Sequence, residues 1–157
     1  MVKVKVVWNN AQINKLIQNL YKEEKNIENA GGEWLHDFGQ LVIKESQHEV
    51  PIRTMTLHDS AYVDNARVLP SGKGVYVKLG YGGLNDRRNP ETGQMASEYA
   101  LKVHETKETP KGGGYYHPYG KWKFLEDPLR RNKQMFYQLM GIKLRTLLNK
   151  GGAVKHV

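Results

Sequence analysis

Apolar and polar positions alternate at the start of the chain and then change period. Val2-Lys3-Val4-Lys5-Val6-Val7 has period two, the pattern of a short strand with one buried face. Asn9-Asn10 offers an N-cap, and from about Ala11 the apolar residues recur at three- and four-residue steps: Ile13, Leu16, Ile17, Leu20, Ile27, Trp34, Leu35, Phe38, Leu41 and Val42. This stripe predicts a long amphipathic helix. Gly31-Gly32 interrupts it, and each glycine costs about 1 kcal/mol against alanine in a helix interior. The stripe keeps its phase across the pair, so we expect one helix with a weak point rather than two helices. Pro51 ends it, because a residue before proline avoids helical dihedrals.

Ala61 to Leu69 tolerates strand, Pro70-Ser71-Gly72 is a turn, and Gly74 to Gly82 alternates. Val75, Val77 and Leu79 lie on one face, with Tyr76 and Lys78 on the other. Together they predict a β-hairpin. Leu84 to Thr92 is a polar loop. Tyr99 to Glu105 reads as a third strand and Trp122 to Leu125 as a fourth. Between them, Lys107 to Gly120 has four glycines, two prolines and three tyrosines, and reads as a flexible loop or hairpin arm. Asp127-Pro128 is a helix start, with Asp as N-cap and Pro in the first helical position. Leu129, Phe136, Leu139, Met140, Leu144 and Leu147 then mark a C-terminal helix closed by Gly151-Gly152, and residues 151–157 read as a frayed tail. The expected fold is α+β. A long N-terminal helix and a C-terminal helix pack on a small, mainly antiparallel sheet with a long hairpin arm.

The 157 residues suit one domain. Cysteine is absent, which excludes disulfides and cysteine-ligated zinc and fits a reducing compartment. No apolar run is long enough to span a bilayer, and the N-terminus lacks the apolar segment of a secretory signal. The formal net charge is +8 and the pI about 9.6, a balance that favours polyanions or acidic partners. The basic residues are scattered rather than packed into one run.

The candidate chemistry thins out on inspection. His104-Glu105 lacks the His-Glu-x-x-His spacing of a zinc protease and reads as the polar end of a strand. His58-Asp59-Ser60 holds the residue types of a hydrolytic triad, but triad members converge from separate places, so the trio marks a strand entrance. Gly112-Gly113-Gly114 lacks the spacing of a phosphate loop. No catalytic, metal or cofactor residue is therefore assigned. The aromatic residues near the glycines point instead to a partner interface, because Tyr and Trp are enriched there. The candidate interface residues are Arg87, Arg88, Lys111, Tyr115, Tyr116, His117, Tyr119 and Lys121.

Three segments carry a resemblance in order and spacing: Val50-Pro51 with Thr54, Leu57 and Ser60; Tyr99-Ala100 with His104-Glu105; and Phe124-Leu125 with Pro128. The chain resembles the tail-completion or neck proteins of tailed bacteriophages, minor proteins of the head–tail junction, over about residues 40–148. One position departs: the family's Gly after the Thr is Met55, which removes the residue best suited to a tight turn. The resemblance implies an α+β fold without enzyme activity or cofactor, made in the host bacterial cytoplasm and incorporated in the virion. It also implies a ring of identical copies, by family hexameric, that contacts the phage connector or adaptor and the tail-tube or tail-terminator proteins. Non-specific contact with packaged DNA is implied as well, and no membrane. The alternative reading of the residues is a basic nucleic-acid-binding protein or small nuclease, carried by the charge and by the mixed aromatic and basic run Tyr115 to Lys123. A toxin-like α+β ribonuclease uses the same side chains, but no acid–base pair stands in register.

Overall fold

A computed structural model describes residues 10–107 and 119–151. The predicted strand at Val2–Val7, most of the arm and the tail beyond Gly151 lie outside the described residues. The elements are α1 (Asn10–Glu49), α2 (Thr56–Asp59), β1 (Ala61–Val63), β2 (Arg67–Val68), β3 (Val75–Tyr76), β4 (Leu79–Tyr81), α3 (Ala96–Glu105) and α4 (Glu126–Gly151). A short 3-10 turn, Gly83–Asn85, follows β4. The architecture is α+β, with a long N-terminal helix, a C-terminal helix and small antiparallel sheets.

The glycines do not break α1. They make room on it. A side chain at Gly32 would place its Cβ 3.0 Å from the Ala66 methyl, and one at Gly39 would sit 3.0 Å from Val63 and 3.4 Å from Leu79. The hairpin therefore lies directly on the helix backbone. Its strands pair antiparallel in two short ladders, Ala61–Val63 with Leu79–Tyr81 and Arg67–Val68 with Val75–Tyr76. Val75 faces Gly31, while Val77 and Leu79 face Gly39, so the face predicted from the alternation is the one turned to α1.

Two expected strands are helix and turn. Ala96–Glu105 is α3, not the third strand. Tyr99, Leu101 and Val103 fit a period of two, but Ala96, Tyr99, Ala100 and Val103 fit helical spacing equally well. The two readings part at Leu101, which is 73% exposed, whereas Val103 is 6% exposed. The Glu98 carboxylate accepts the Met95 N–H at 2.9 Å and so satisfies one of the free amides at the helix start. Trp122 to Leu125 is a turn rather than the fourth strand. Lys123 adopts φ 56° and donates its N–H to the His104 carbonyl at 2.8 Å, which drops Phe124 into the interior. His104-Glu105 is accordingly the polar end of a helix. α4 begins at Glu126, so Asp127 and Pro128 lie inside its first turn and Asp127 is not the N-cap.

The core sits where the end of α1 meets α2, α3 and this turn. Val50, Leu57, Ala96, Val103 and Phe124 are buried together, with Tyr81, Tyr99, Ala100 and Leu125 against them. Phe124 takes the edge-on approach of Tyr81 at 5.2 Å and of His104 at 5.0 Å between ring centroids. Met55 adopts φ 60°, so the tight turn is made without the glycine. A non-glycine residue there costs about 1–2 kcal/mol. The Met55 carbonyl accepts the Asp59 N–H at 2.8 Å and closes the single turn of α2.

Helices α1 and α4 pack antiparallel. Arg131 reaches Glu45 at 3.1 Å and Glu49 at 2.7 Å, Phe38 stacks on Phe136 at 4.3 Å, and the Lys143 ammonium lies 5.5 Å over Trp34. At 1.5 Å per residue, this register brings the end of α4 level with about residue 26 of α1. Roughly the first sixteen residues of α1, about 24 Å, project beyond it.

Candidate partner interface

The sequence reading assigned the interface to two loops, and the structure brings their described parts to one segment. Pro51 to Met55 connects α1 to α2. On one side Arg53 Nε pairs with Glu91 Oε2 at 2.7 Å, tying the segment to the polar loop. On the other, the Ile52 N–H donates to the Tyr119 carbonyl at 3.3 Å, tying it to the root of the arm. Gly120 packs so closely that a Cβ there would fall 2.5 Å from the Pro51 backbone nitrogen, and its φ of 97° also calls for glycine.

The polar loop is built rather than loose. Asn89 is buried, and its side-chain oxygen accepts the N–H groups of Glu91 at 2.9 Å and Thr92 at 3.3 Å. Arg88 Nη1 donates to the Gly93 carbonyl at 2.6 Å. The Asp86 carboxylate accepts the Ser97 hydroxyl and the N–H groups of Ser97 and Arg87. The Ser97 hydroxyl leads in holding its pKa below the usual aspartate range. Arg87 is exposed and stands 3.8 Å from Asp59.

At the arm's root Tyr119 is 72% exposed. Lys121 is drawn inward, 2.6 Å from Asp127 and 3.1 Å from Glu49. The Asp127 bond leads in raising the Lys121 pKa, and Lys121 in turn lowers that of Asp127. Lys123 bridges Glu105 at 2.6 Å and Glu126 at 2.9 Å, and its hydrogen bonds lower both carboxylates. These pairs fasten α3 and α4 to the turn between them. Lys111, Tyr115, Tyr116 and His117 lie outside the described residues.

The remaining chemical candidates have structural partners. His58 Nδ1 is 2.8 Å from Asp59 Oδ1, but the Ser60 hydroxyl donates to the Leu57 carbonyl at 2.7 Å and accepts the Gly82 N–H at 3.2 Å. The serine is turned to the backbone at the entrance of β1 and not to the imidazole. His104 Nε2 accepts the Glu126 N–H at 3.3 Å, and its Nδ1 lies 2.8 Å from Glu105. Among the described residues no group of His, Asp and Glu is arranged to hold a metal ion.

Two surfaces escaped the sequence reading. An open groove of about 710 Å³ runs between α1, the hairpin and the start of α4, lined mainly by apolar side chains that include Leu35, Phe38, Val77, Leu79 and Leu129. On α4, Met135, Leu139 and Ile142 are exposed by 42%, 46% and 61%, although they follow one another at helical spacing. Six basic residues and no acidic one lie between Leu129 and Gly151, a signal that the scattered-charge description passed over. No helix of the described residues is long and apolar enough to cross a membrane. No protein-family model, no curated protein and no solved structure matches the chain.

Proposed function

We propose that this protein is a structural component of a phage neck, a tail-completion protein that joins the head connector to the tail as one copy of a ring around the DNA channel. The observation that carries the reading is the convergence of the polar loop and the arm root on Pro51–Met55. That surface is rigid at its base, because Asn89 and Gly120 fix both loops, and exposed at Tyr119, Arg87 and Arg88. A base of this kind limits the ordering entropy lost when a neighbour docks. The bridging mechanism follows: the helices and hairpin act as the body, and the two loops reach an adjacent subunit or the tail.

The test is the mass of the purified protein, alone and with candidate connector, tail-terminator and tail-tube proteins, at low and high salt. A ring or a defined complex is the expected result. A chain that stays monomeric with every such partner overturns the reading.

A nucleic-acid-binding role is the second reading, favoured by the run of basic residues on α4 without acidic ones. Arg130 and Arg131 are already paired with Glu126, Glu45 and Glu49, which leaves less of that charge for phosphates. Salt-dependent DNA affinity in a chain that ignores tail proteins would put this reading first.

A further inference from the structure

The projecting part of α1 and the bare flank of α4 belong to one chain and answer each other. Along the projection, Ile17, Leu20 and Tyr21 are exposed by 43%, 61% and 68%. Leu20 is in helical phase with Ile27, Trp34 and Leu41, so it continues the stripe that α4 covers lower down. It lies beyond the reach of α4. On the flank, Met135, Leu139 and Ile142 stand at spacings of four and three residues beside a groove of about 160 Å³. Trp34, Leu41, Met135 and Leu139 line this groove, so the seam between α1 and α4 is apolar and open. A helix with apolar anchors at three- and four-residue steps is the shape such a seam receives.

We infer that the projecting turns of α1 from one copy lie along the α1–α4 seam of a second copy, with Ile17 and Leu20 against Met135, Leu139 and Ile142. Charge selects a second copy over other occupants. Glu23 and Glu24 sit next to the projecting stripe and make no ion pair with another described residue. The receiving helix carries Lys143 at the groove and no acidic residue from Leu129 to Gly151, while Asp37 of α1 lines the same groove. A projecting helix cannot bend back to fill its own seam, so the contact runs from the projection of one copy to the seam of another. Such a contact leaves one projection and one seam unused in any open chain of copies, and it ends only by closing into a ring. The inference rests on the ring reading for that closure and supplies the interface the ring would use.

Two variants separate the faces. Ile17→Glu with Leu20→Glu spoils the projection and leaves the seam. Leu139→Glu with Ile142→Glu spoils the seam and leaves the projection, and Ile142→Glu alone serves if the pair unfolds. Sedimentation of wild type, each variant and their equimolar mixture is the measurement, with melting curves recorded alongside. The expected result is an assembled wild type, two monomeric variants that melt as folded proteins, and a mixture of twice the monomer mass that grows no further. Variants that assemble like wild type overturn the interface and leave the ring reading standing. Monomeric variants whose mixture stays monomeric overturn the projection-to-seam contact. A wild type that stays monomeric alone and with its tail partners overturns both.

Discussion

The two halves of α1 form one continuous helix held by different forces. From Gly31 onward it is covered by the hairpin on one side and by α4 on another, and it ends in the core at Val50. Before about residue 26 nearly all of its described side chains are exposed. An isolated helix of about 16 residues is marginal in water, because nucleation is costly. Here the packed half supplies the nucleus, and each further residue needs only propagation. The second half therefore reports the stability of the fold, while the first half reports what the fold has left for a neighbour. Substitutions in the two halves should separate cleanly.

The largest effect belongs to the cluster where the packed half ends. Phe124→Ala removes the ring against which Tyr81 and His104 stand, and it leaves a hole between Val50, Leu57 and Val103. The expected loss is about 3–5 kcal/mol in denaturant unfolding. A loss under about 1 kcal/mol would mean that the site collapses freely and that the packed half is not anchored there.

Phe124 also shows what could be read in the sequence. The strand assigned to it is a turn in the structure. The turn at Lys123 depends on a left-handed residue with no glycine to announce it, and on a hydrogen bond from its N–H to the His104 carbonyl that joins residues nineteen apart in sequence. α3 was missed because Tyr99 to Glu105 is short enough to satisfy both periods, and only the exposure of Leu101 decides between them. By contrast, α1, the hairpin and α4 are long or strictly alternating, and the phase across Gly31-Gly32 was sufficient to predict a single helix. Of the site, the two loops were visible, one as a polar stretch and the other as a glycine-rich one. Their meeting at Pro51–Met55 was not, because it depends on contacts between segments far apart in the chain.

Tyr81 tests the packed half through pH. Its hydroxyl bonds the Ser46 hydroxyl of α1 at 2.7 Å, and burial pushes its pKa up to about 12. The unfolded chain loses this proton near pH 10, and the folded chain keeps it. The stability contribution is complete below pH 10 and is lost as pH rises towards 12. The loss is on the order of 2–3 kcal/mol. Melting curves across that range should fall less steeply for Tyr81→Phe. Equal slopes would show that Tyr81 ionises as freely folded as unfolded. At the acid end Asp86, Glu105, Glu126 and Asp127, all lowered, contribute stability above their ordinary pKa values that is lost as pH falls through the lowered ones.

A smaller effect comes from Gly39, also in the packed half. Alanine gains about 0.5–1 kcal/mol in helix propensity. Its methyl, however, would meet Val63 at 3.0 Å and Leu79 at 3.4 Å, on strands that are already paired with each other. Because the hairpin must lift for the methyl to enter, Gly39→Ala should be net destabilising, by about 1 kcal/mol in thermal or denaturant unfolding. At Gly31 the same methyl finds Val75 at 3.9 Å, an ordinary contact, so Gly31→Ala should be stabilising. If both substitutions stabilise, the hairpin gives way easily, and the helix surface is less closely covered than these distances indicate.

The smallest effect should come from the projecting half. Leu20 is 61% exposed and lies beyond the end of α4. Leu20→Gln keeps a good helix former in place and should move the unfolding free energy of the dilute, dissociated protein by less than about 0.5 kcal/mol. Amide exchange should agree, with residues 10–25 opening far below the global unfolding energy and residues from Gly31 onward close to it. At concentrations where copies associate, the same substitution should weaken association while the dilute melting point stays put. A loss of 2 kcal/mol or more in the dilute protein, about what a buried leucine contributes, would place Leu20 inside the fold, and the contrast between the halves of α1 would fail at its exposed end.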